Sequence, residues 1–539
     1  MRLLTDVRRR AWYGANEIRG LEWHALRIGR RGSEVMPGLV HGAVLVGVEA
    51  VVVSVEVDLL RRLPAVAIVG LPSASVREAA ERVRSAILAS GLEFPRFRIV
   101  ISLAPSDLRK EGTGFDLPMA VAILAASGQV AADRARRWLC AGELSLSGEL
   151  RPIRGALSMA CAALGGGFEG LIVPHGCSSE AALVPGVGVR AARTLREVVE
   201  FFSGEGELSM PPEALAGSRS LSVDLREVRG QSEARFALEV AAAGGHNLLL
   251  EGPPGCGKTM LAARLPGILP ALTPAEALEC TRVHSAAGLC GQRGNVVSER
   301  PFRAPHHSVS AAAMVGSASL RPGEASLAHN GVLFLDEFPE FRRDVREALR
   351  APLEDRKIVL SRASGRVVFP ADFALVAAAN PCPCGYWGHP SRACICSPTQ
   401  RQRYRTHLSG PIVDRIDMRL ELQPVDPSCL FDGAGGEGSD AVRARVQRCR
   451  EVQAARNGAG RTNAAISGDD LLSVADPSPL ALRALVAEVQ RLGTSARTAR
   501  RLLRVARTIA DLAESRRVEL AHVERAMALR LDAADEVVP

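Results

Sequence analysis

The residues 252–259, Gly-Pro-Pro-Gly-Cys-Gly-Lys-Thr, have the types and spacing needed to hold a phosphate chain. Gly252, Gly255 and Gly257 let the backbone curl so that its N–H groups point at phosphate oxygens, with Pro253, Pro254 and Cys256 completing the loop. Lys258 is placed to reach the β- and γ-phosphates, and the Thr259 hydroxyl to sit on Mg²⁺. The loop follows the apolar run Leu248-Leu249-Leu250 and leads into a helical segment from Met260. Strand, glycine loop and helix are the context this motif requires, so the implied ligands are ATP and Mg²⁺.

Further chemistry is spaced downstream. Gly331-Val-Leu-Phe-Leu-Asp336-Glu337 reads as a buried parallel strand ending in two carboxylates. Asp336 is expected to hold Mg²⁺ and Glu337 to polarise the attacking water. A second buried strand, Phe373 to Ala379, ends in Asn380, a polar amide placed to sense the γ-phosphate. Cys382, Cys384, Cys394 and Cys396 form a C-x-C…C-x-C set that suits tetrahedral zinc, or else four reduced loop thiols, with His389 as a spare ligand. Arg415 lies between Asp414 and Asp417 and is either a salt-bridged structural arginine or, in a ring, a group reaching the neighbouring subunit's γ-phosphate. Arg497 opens a helix and is the second-sensor candidate. Arg500, Arg501, Arg504 and Arg507 on the same helix read as a solvated or a DNA-facing surface.

The elements that must position these groups fall into blocks. Residues 1–36 are basic, without apolar periodicity, and read as a disordered or misannotated leader. Residues 37–202 alternate strands (44–48, 51–57, 65–72, 98–103, 170–174) with helices (75–90, 117–126) as an α/β domain. A Gly/Pro/Ser-rich linker, 203–222, precedes an α/β ATPase core over 223–426. Within that core, 274–330 is expected to hold two short helices, and 342–353 another. A hairpin follows, with a basic tip assigned to Lys357, Arg362 and Arg366, either solvated or touching nucleic acid. Residues 427–539 read as a helical lid.

Composition narrows the class. The net charge of +8 suits an anionic partner, while 4% aromatic residues limit binding by base stacking. No apolar run approaches the roughly 18 residues of a membrane span. The Arg-rich start has no apolar core of a secretory signal, and the twelve cysteines suggest no disulfide scaffold. The reducing cytoplasm is the expected compartment.

Two resemblances sharpen the reading. Residues 110–118 (Lys-Glu-Gly-Thr-Gly-Phe-Asp-Leu-Pro), 142–155 and Ile172-Val-Pro174 resemble the proteolytic domain of Lon proteases. That domain uses a Ser–Lys dyad, and the aligning positions here are Gly114 and Leu157. Neither can act as nucleophile or base, so the domain reads as protease-dead, and Ser158 and Lys110 do not replace the dyad.

The chain from 37 to about 533 is similar to the YifB/ComM family of magnesium-chelatase-like AAA+ ATPases. The likeness is carried by Gly244-Gly-His-Asn-Leu-Leu-Leu250, Arg303-Ala-Pro-His-His-Ser308, Gly323-Glu-Ala-Ser-Leu-Ala-His329, Asn380-Pro-Cys-Pro-Cys-Gly385 and the stretch 409–417. The resemblance implies an ATP-driven homo-hexameric ring. It further implies a helicase-type, branch-migrating motor on branched or single-stranded DNA, in recombination or natural transformation. The hairpin's DNA-binding position falls on Arg362. The other class of function it implies is a chelatase-type ATPase remodelling a protein client.

Overall fold

Val53, Val55 and Val57 alternate with Ser54, Glu56 and Asp58, the period of a strand with one buried face. The resulting ladder is longer than expected: β1 (Gly38–Val46) and β2 (Glu49–Leu60) pair antiparallel from Gly38 opposite Val57 to Val46 opposite Glu49. Its first half is hidden in the sequence because Gly38, His41 and Gly42 interrupt the apolar run. Packing explains the glycine: a Cβ on Gly38 would lie 2.2 Å from the Ala122 carbonyl oxygen of the helix behind it. The turn is Gly47-Val48, with Gly47 at φ +68, the left-handed geometry that two-residue hairpins favour.

The computed structural model describes the chain from Gly38 to Arg530, except residues 213–222, 291–295, 318–320, 363–364, 390, 409, 411, 425–435 and 492–495 and the Arg362 side chain. The expected leader, half of the linker and most of the Gly-rich stretch before the lid therefore lie outside the described residues.

The remaining N-terminal strands are β3 (Ala65–Val69), β4 (Arg98–Ala104), β5 (Trp138–Cys140), the small hairpin β6 (Glu143–Leu144) and β7 (Leu150–Arg151), β8 (Gly170–Pro174) and β9 (Gly188–Ala192). With β1 and β2, and without the separate β6–β7 hairpin, they make a mixed seven-stranded sheet, ordered β3-β4-β2-β1-β5-β8-β9. Helix Asp116–Ala126 is buried at every residue, as its all-round apolar sequence requires. Its one charge, Asp116, is met by a bidentate contact from Arg82 at 2.9 and 3.0 Å. The peptidase alternative finds no support in the geometry. The Lys110 ammonium donates to the Pro105 carbonyl, and Ser158 Oγ donates to the Val48 carbonyl at 2.7 Å.

The second sheet comprises β10 (Leu248–Glu251), β11 (Phe302–Arg303), β12 (Val332–Leu335), β15 (Ala374–Ala379) and β16 (Met418–Glu421). All pair in parallel, in the order β11-β12-β15-β10-β16. The strand ending at Asn380 is thus inserted between the glycine-loop strand and the carboxylate strand. All three deliver their C-terminal ends to one edge.

Between them, the described residues of 274–330 hold one long helix and two short turns where two short helices were expected. Pro274–Ala287 is nucleated by a reciprocal Thr273/Glu276 capping box, and Ala311–Val315 and Glu324–Leu327 are the short pieces. The expected helix 342–353 is split into Arg343–Ala348 and Arg350–Asp355. Pro352 removes the N–H that would bond Ala348, so the break falls there.

The hairpin is present as β13 (Lys357–Arg362) and β14 (Gly365–Pro370). One tip assignment is wrong: Lys357 pairs with Pro370 at the base, roughly 17 Å of strand away from the turn at a rise of about 3.4 Å per residue. Arg366 is exposed opposite Ser361 near the turn.

The lid helices are Ser439–Asn457, Pro479–Arg491, Ala496–Leu512 and Leu520–Ala528, with a short Leu471–Ala475 between. Ala496–Leu512 packs at the centre, so Arg501 and Arg507 are buried and Arg504 is half-buried, and of the four arginines expected on a solvated face Arg500 alone is exposed. Arg507 is 1% exposed, pairs with Asp511 and donates to the carbonyls of Ala475, Ser515 and Arg516. The N-terminal sheet is joined to the ATPase core by apolar packing. Val48 shares a cluster with Ile358, Val367 and Phe369 of the hairpin, and its carbonyl also accepts from Arg282 Nε at 2.8 Å. No helix among the described residues is long and apolar enough to cross a membrane.

Candidate functional site

The loop after β10 places three glycines for two different reasons. Gly255 and Gly257 have φ of +82 and +94 with open space on their Cβ side, so conformation alone selects glycine. At Gly252 the reason is crowding, since a Cβ there would meet the Leu422 carbonyl at 2.6 Å. Lys258 begins the following helix, Lys258–Ile268, and burial holds its ammonium below the usual lysine range. The ammonium donates to the Gly252 carbonyl at 2.6 Å, the Pro253 carbonyl at 3.0 Å and Asn380 Oδ1 at 3.0 Å. Thr259 Oγ1 donates to Asp336 Oδ2 at 2.8 Å. Lys258, Thr259, Asp336 and Asn380 are therefore one connected group, supplied by three adjacent strands of the sheet.

Glu337 adopts φ 52, a left-handed backbone that is uncommon for a glutamate, and its N–H donates to Asp336 Oδ1 at 3.0 Å. Its carboxylate faces His307 Nδ1 at 3.2 Å, and His307 packs on the His306 ring at 4.1 Å. His306 Nδ1 bonds the Ser308 hydroxyl at 2.8 Å, and three residues before the pair Arg303 contacts Glu324 bidentately at 2.7 and 2.9 Å. In the sequence, residues 303–308 and 323–329 stand out only as signatures of the family likeness. The His-His pair following a short basic strand was the available signal for a second group at Glu337.

The four cysteines converge. Their sulfurs all lie within 4.8 Å of one another, with Cys382–Cys384 at 3.4 Å and both Cys382–Cys394 and Cys384–Cys394 at 3.6 Å. A tetrahedron with metal–sulfur bonds of about 2.3 Å has sulfur–sulfur edges of about 3.8 Å. Backbone N–H groups of Trp387, Cys384 and Cys396 donate to Cys382, Cys396 and Cys394 sulfurs at 3.3–3.4 Å, a pattern that favours thiolates. The donor set fits zinc. His389 is not part of it: its Nδ1 is engaged with Ser391. The knuckle also packs on the glycine loop, since a Cβ at Gly385 would meet Pro254 at 2.7 Å.

Arg415 and Arg497 are brought together elsewhere. Both line a cavity of about 420 Å³ with Arg356, Arg501 and Arg504, and no residue of the 252–259 loop takes part. Arg415 pairs with Glu354, not with its sequence neighbours Asp414 or Asp417. Behind it runs a polar network that sequence reasoning missed. Asn247 Nδ2 donates to the Arg415 carbonyl at 3.0 Å, and the Asn247 N–H donates to Asp417 at 3.0 Å. Fully buried His246 lies 3.6 Å from Asp417 and bonds Thr508 of the lid at 2.8 Å. Burial alone would raise Asp417, but its His246 and Asn247 contacts outweigh it and hold the carboxyl below the usual range.

A glycine loop, paired acidic strand and inserted polar strand in this sheet order define a P-loop ATPase of the additional-strand class. The description "Magnesium chelatase, subunit ChlI" matches residues 224–430, "Subunit ChlI of Mg-chelatase" matches 55–177, and the ChlI C-terminal description matches 436–530. The chain is 44% identical to YifB of Escherichia coli over 91% of this chain and 96% of YifB. It is 43% identical to Rv2897c of Mycobacterium tuberculosis, over 87% and 93% of the two chains. It is 42% identical to the competence protein ComM of Haemophilus influenzae, over 91% and 97%. The chain belongs to the YifB/ComM family of magnesium-chelatase-like AAA+ ATPases.

Proposed function

We propose that this protein is an ATP-hydrolysing ring motor, a homo-hexamer that remodels branched or single-stranded DNA. The observation that carries the reading is the separation of two charged sites within one chain. Lys258, Thr259, Asp336, Glu337 and Asn380 gather at the sheet edge, while Arg415 and Arg497 share a cavity that excludes the glycine loop. Such a division suits a nucleotide held between two copies, each contributing one half.

In this mechanism Lys258 leaves the Gly252 and Pro253 carbonyls and turns to the phosphate tail. Thr259 and Asp336 would hold Mg²⁺, which supplies charge neutralisation at the phosphate oxygens. Glu337 orients the attacking water, with His307 fixing the carboxylate, and Asn380 reads the terminal phosphate. Arg415 and Arg497 stabilise the transition-state charge from the next copy. The cysteine knuckle would hold zinc as a structural clamp between Asn380 and Pro254. Metal analysis of protein purified without chelator should find one zinc per chain, lost in Cys394→Ser.

The DNA reading rests on the exposed Arg366 at the hairpin's end, the +8 net charge and the kinship with a competence protein. The test is ATP-dependent migration of a synthetic four-way junction, with Lys258→Ala as control. Migration by the unmodified chain alone is the expected result. Absence of both migration and DNA-stimulated ATPase would overturn the DNA reading in favour of a protein client, the alternative that the chelatase kinship supports.

A further inference from the structure

Helix Ala496–Leu512 sends Arg497, Arg501 and Arg504 to the cavity beside Arg415. Most cations there have partners. Arg415 contacts Glu354, Arg356 contacts Asp372 at 3.1 Å, and Arg504 donates to the Ile466 carbonyl at 2.5 Å. Arg497 is exposed at the rim.

Arg501 differs. It is only 5% exposed and lines the cavity, yet among the described residues it has no hydrogen bond and no carboxylate within ion-pair distance. Burial pushes its guanidinium down to about 10, and the attraction of Asp417 and Asp414 is offset by repulsion from Arg530 and Arg497. A buried guanidinium is retained in proteins almost only when something pairs with it. The planar five-donor fork, in a cavity that Arg415 and Arg497 also line, is built for a phosphate.

We propose that Arg501 is a third cation of this half-site and contacts the phosphate tail of ATP held on the glycine loop of a second copy of this chain. The assignment rests on the ring reading above. Its signature is an unfilled charge in the isolated chain, satisfied only when a neighbour docks. A structural arginine would already be bonded.

The experiment uses full-length Arg501→Ala, Arg501→Lys, Arg415→Ala and Lys258→Ala, each alone and as mixed rings with Lys258→Ala. Arg501→Ala should keep its nucleotide affinity, and Arg501→Lys, which retains the aliphatic stem, should keep its melting temperature, because no bond inside the chain is lost. The kcat of Arg501→Ala should fall about 100-fold, the scale for removing one transition-state charge donor. That of Arg501→Lys should fall between. Mixing inactive Arg501→Ala with inactive Lys258→Ala should restore turnover, since the former's glycine loop then meets the latter's intact Arg501. A lowered melting temperature in both Arg501 variants, or an unchanged kcat, would overturn the proposal. Rescue in the Arg415→Ala mixture without rescue in the Arg501→Ala mixture would sink Arg501 alone. Failure of both mixtures would sink the ring reading with it. Stabilisation of the unmodified chain by inorganic phosphate, lost in Arg501→Ala without rescue in the mixture, would assign the site to a free anion and reject the neighbour's nucleotide.

Discussion

The glycine-loop cluster and the arginine cavity are both built for phosphate, but they rest differently. In the first, every charge is occupied within the chain: Lys258 donates to two loop carbonyls and Asn380, and Thr259 to Asp336. In the second, Arg501 is buried and has no partner among the described residues, while Arg415 is held by a carboxylate that is half-exposed at the rim. A self-satisfied site can exist in a single copy and open to ligand by exchanging equivalent hydrogen bonds. A site with an unfilled charge waits for an anion that another molecule brings. The two halves thus differ in what each needs in order to be complete.

The sharpest test of that contrast is Arg415→Ala beside Lys258→Ala. Loss of Arg415 should lower kcat by about 10³–10⁵ with nucleotide binding intact, the range for a trans arginine. Loss of Lys258 should remove binding itself. Steady-state turnover and equilibrium nucleotide titration separate them, and equal loss of binding in both would erase the distinction. Glu337→Gln is expected to reduce turnover by about 10²–10⁴, the usual weight of a group that handles the water's proton, while ATP stays bound. His307→Ala should cost about tenfold to 100-fold, as a hydrogen bond to a charged group contributes about 1.5–3 kcal/mol. An unchanged kcat would reduce His307 to a surface contact. The smallest effect belongs to Glu354→Ala. Arg415 is mostly buried but Glu354 is half-exposed and solvent-screened, so the pair contributes about 1 kcal/mol, stability by denaturant titration should move little, and turnover should change by no more than about fivefold. A large loss there would mean that Glu354 positions Arg415.

Legibility followed distance along the chain. The strand–loop–helix at 248–268, the acidic strand ending at Asp336 and the strand ending at Asn380 were read correctly, because each is specified by consecutive residues. The cysteine set was legible for the same reason, its members lying within fifteen positions (382–396). Errors arose where a remote contact overrode the local pattern. The long first ladder is hidden by glycines that packing against a helix demands. The arginines after Arg497 read as a polar face, yet Arg507 is buried among carbonyls and Asp511. The placement of Lys357 at the tip failed through register, since a hairpin's ends are distinguished only by which residues pair.

By itself the sequence determined the phosphate loop, its carboxylates and its polar sensor strand, since local backbone geometry and apolar runs dictate those elements. Only the tertiary structure decided that His307 faces Glu337, that His246 and Asn247 stand behind Arg415, and that five arginines share one cavity. Those groups come from segments as far apart as residues 245 and 504. No spacing rule encodes such a meeting. It follows from the burial of both sheets and the lid helices, which leaves these side chains one space to enter.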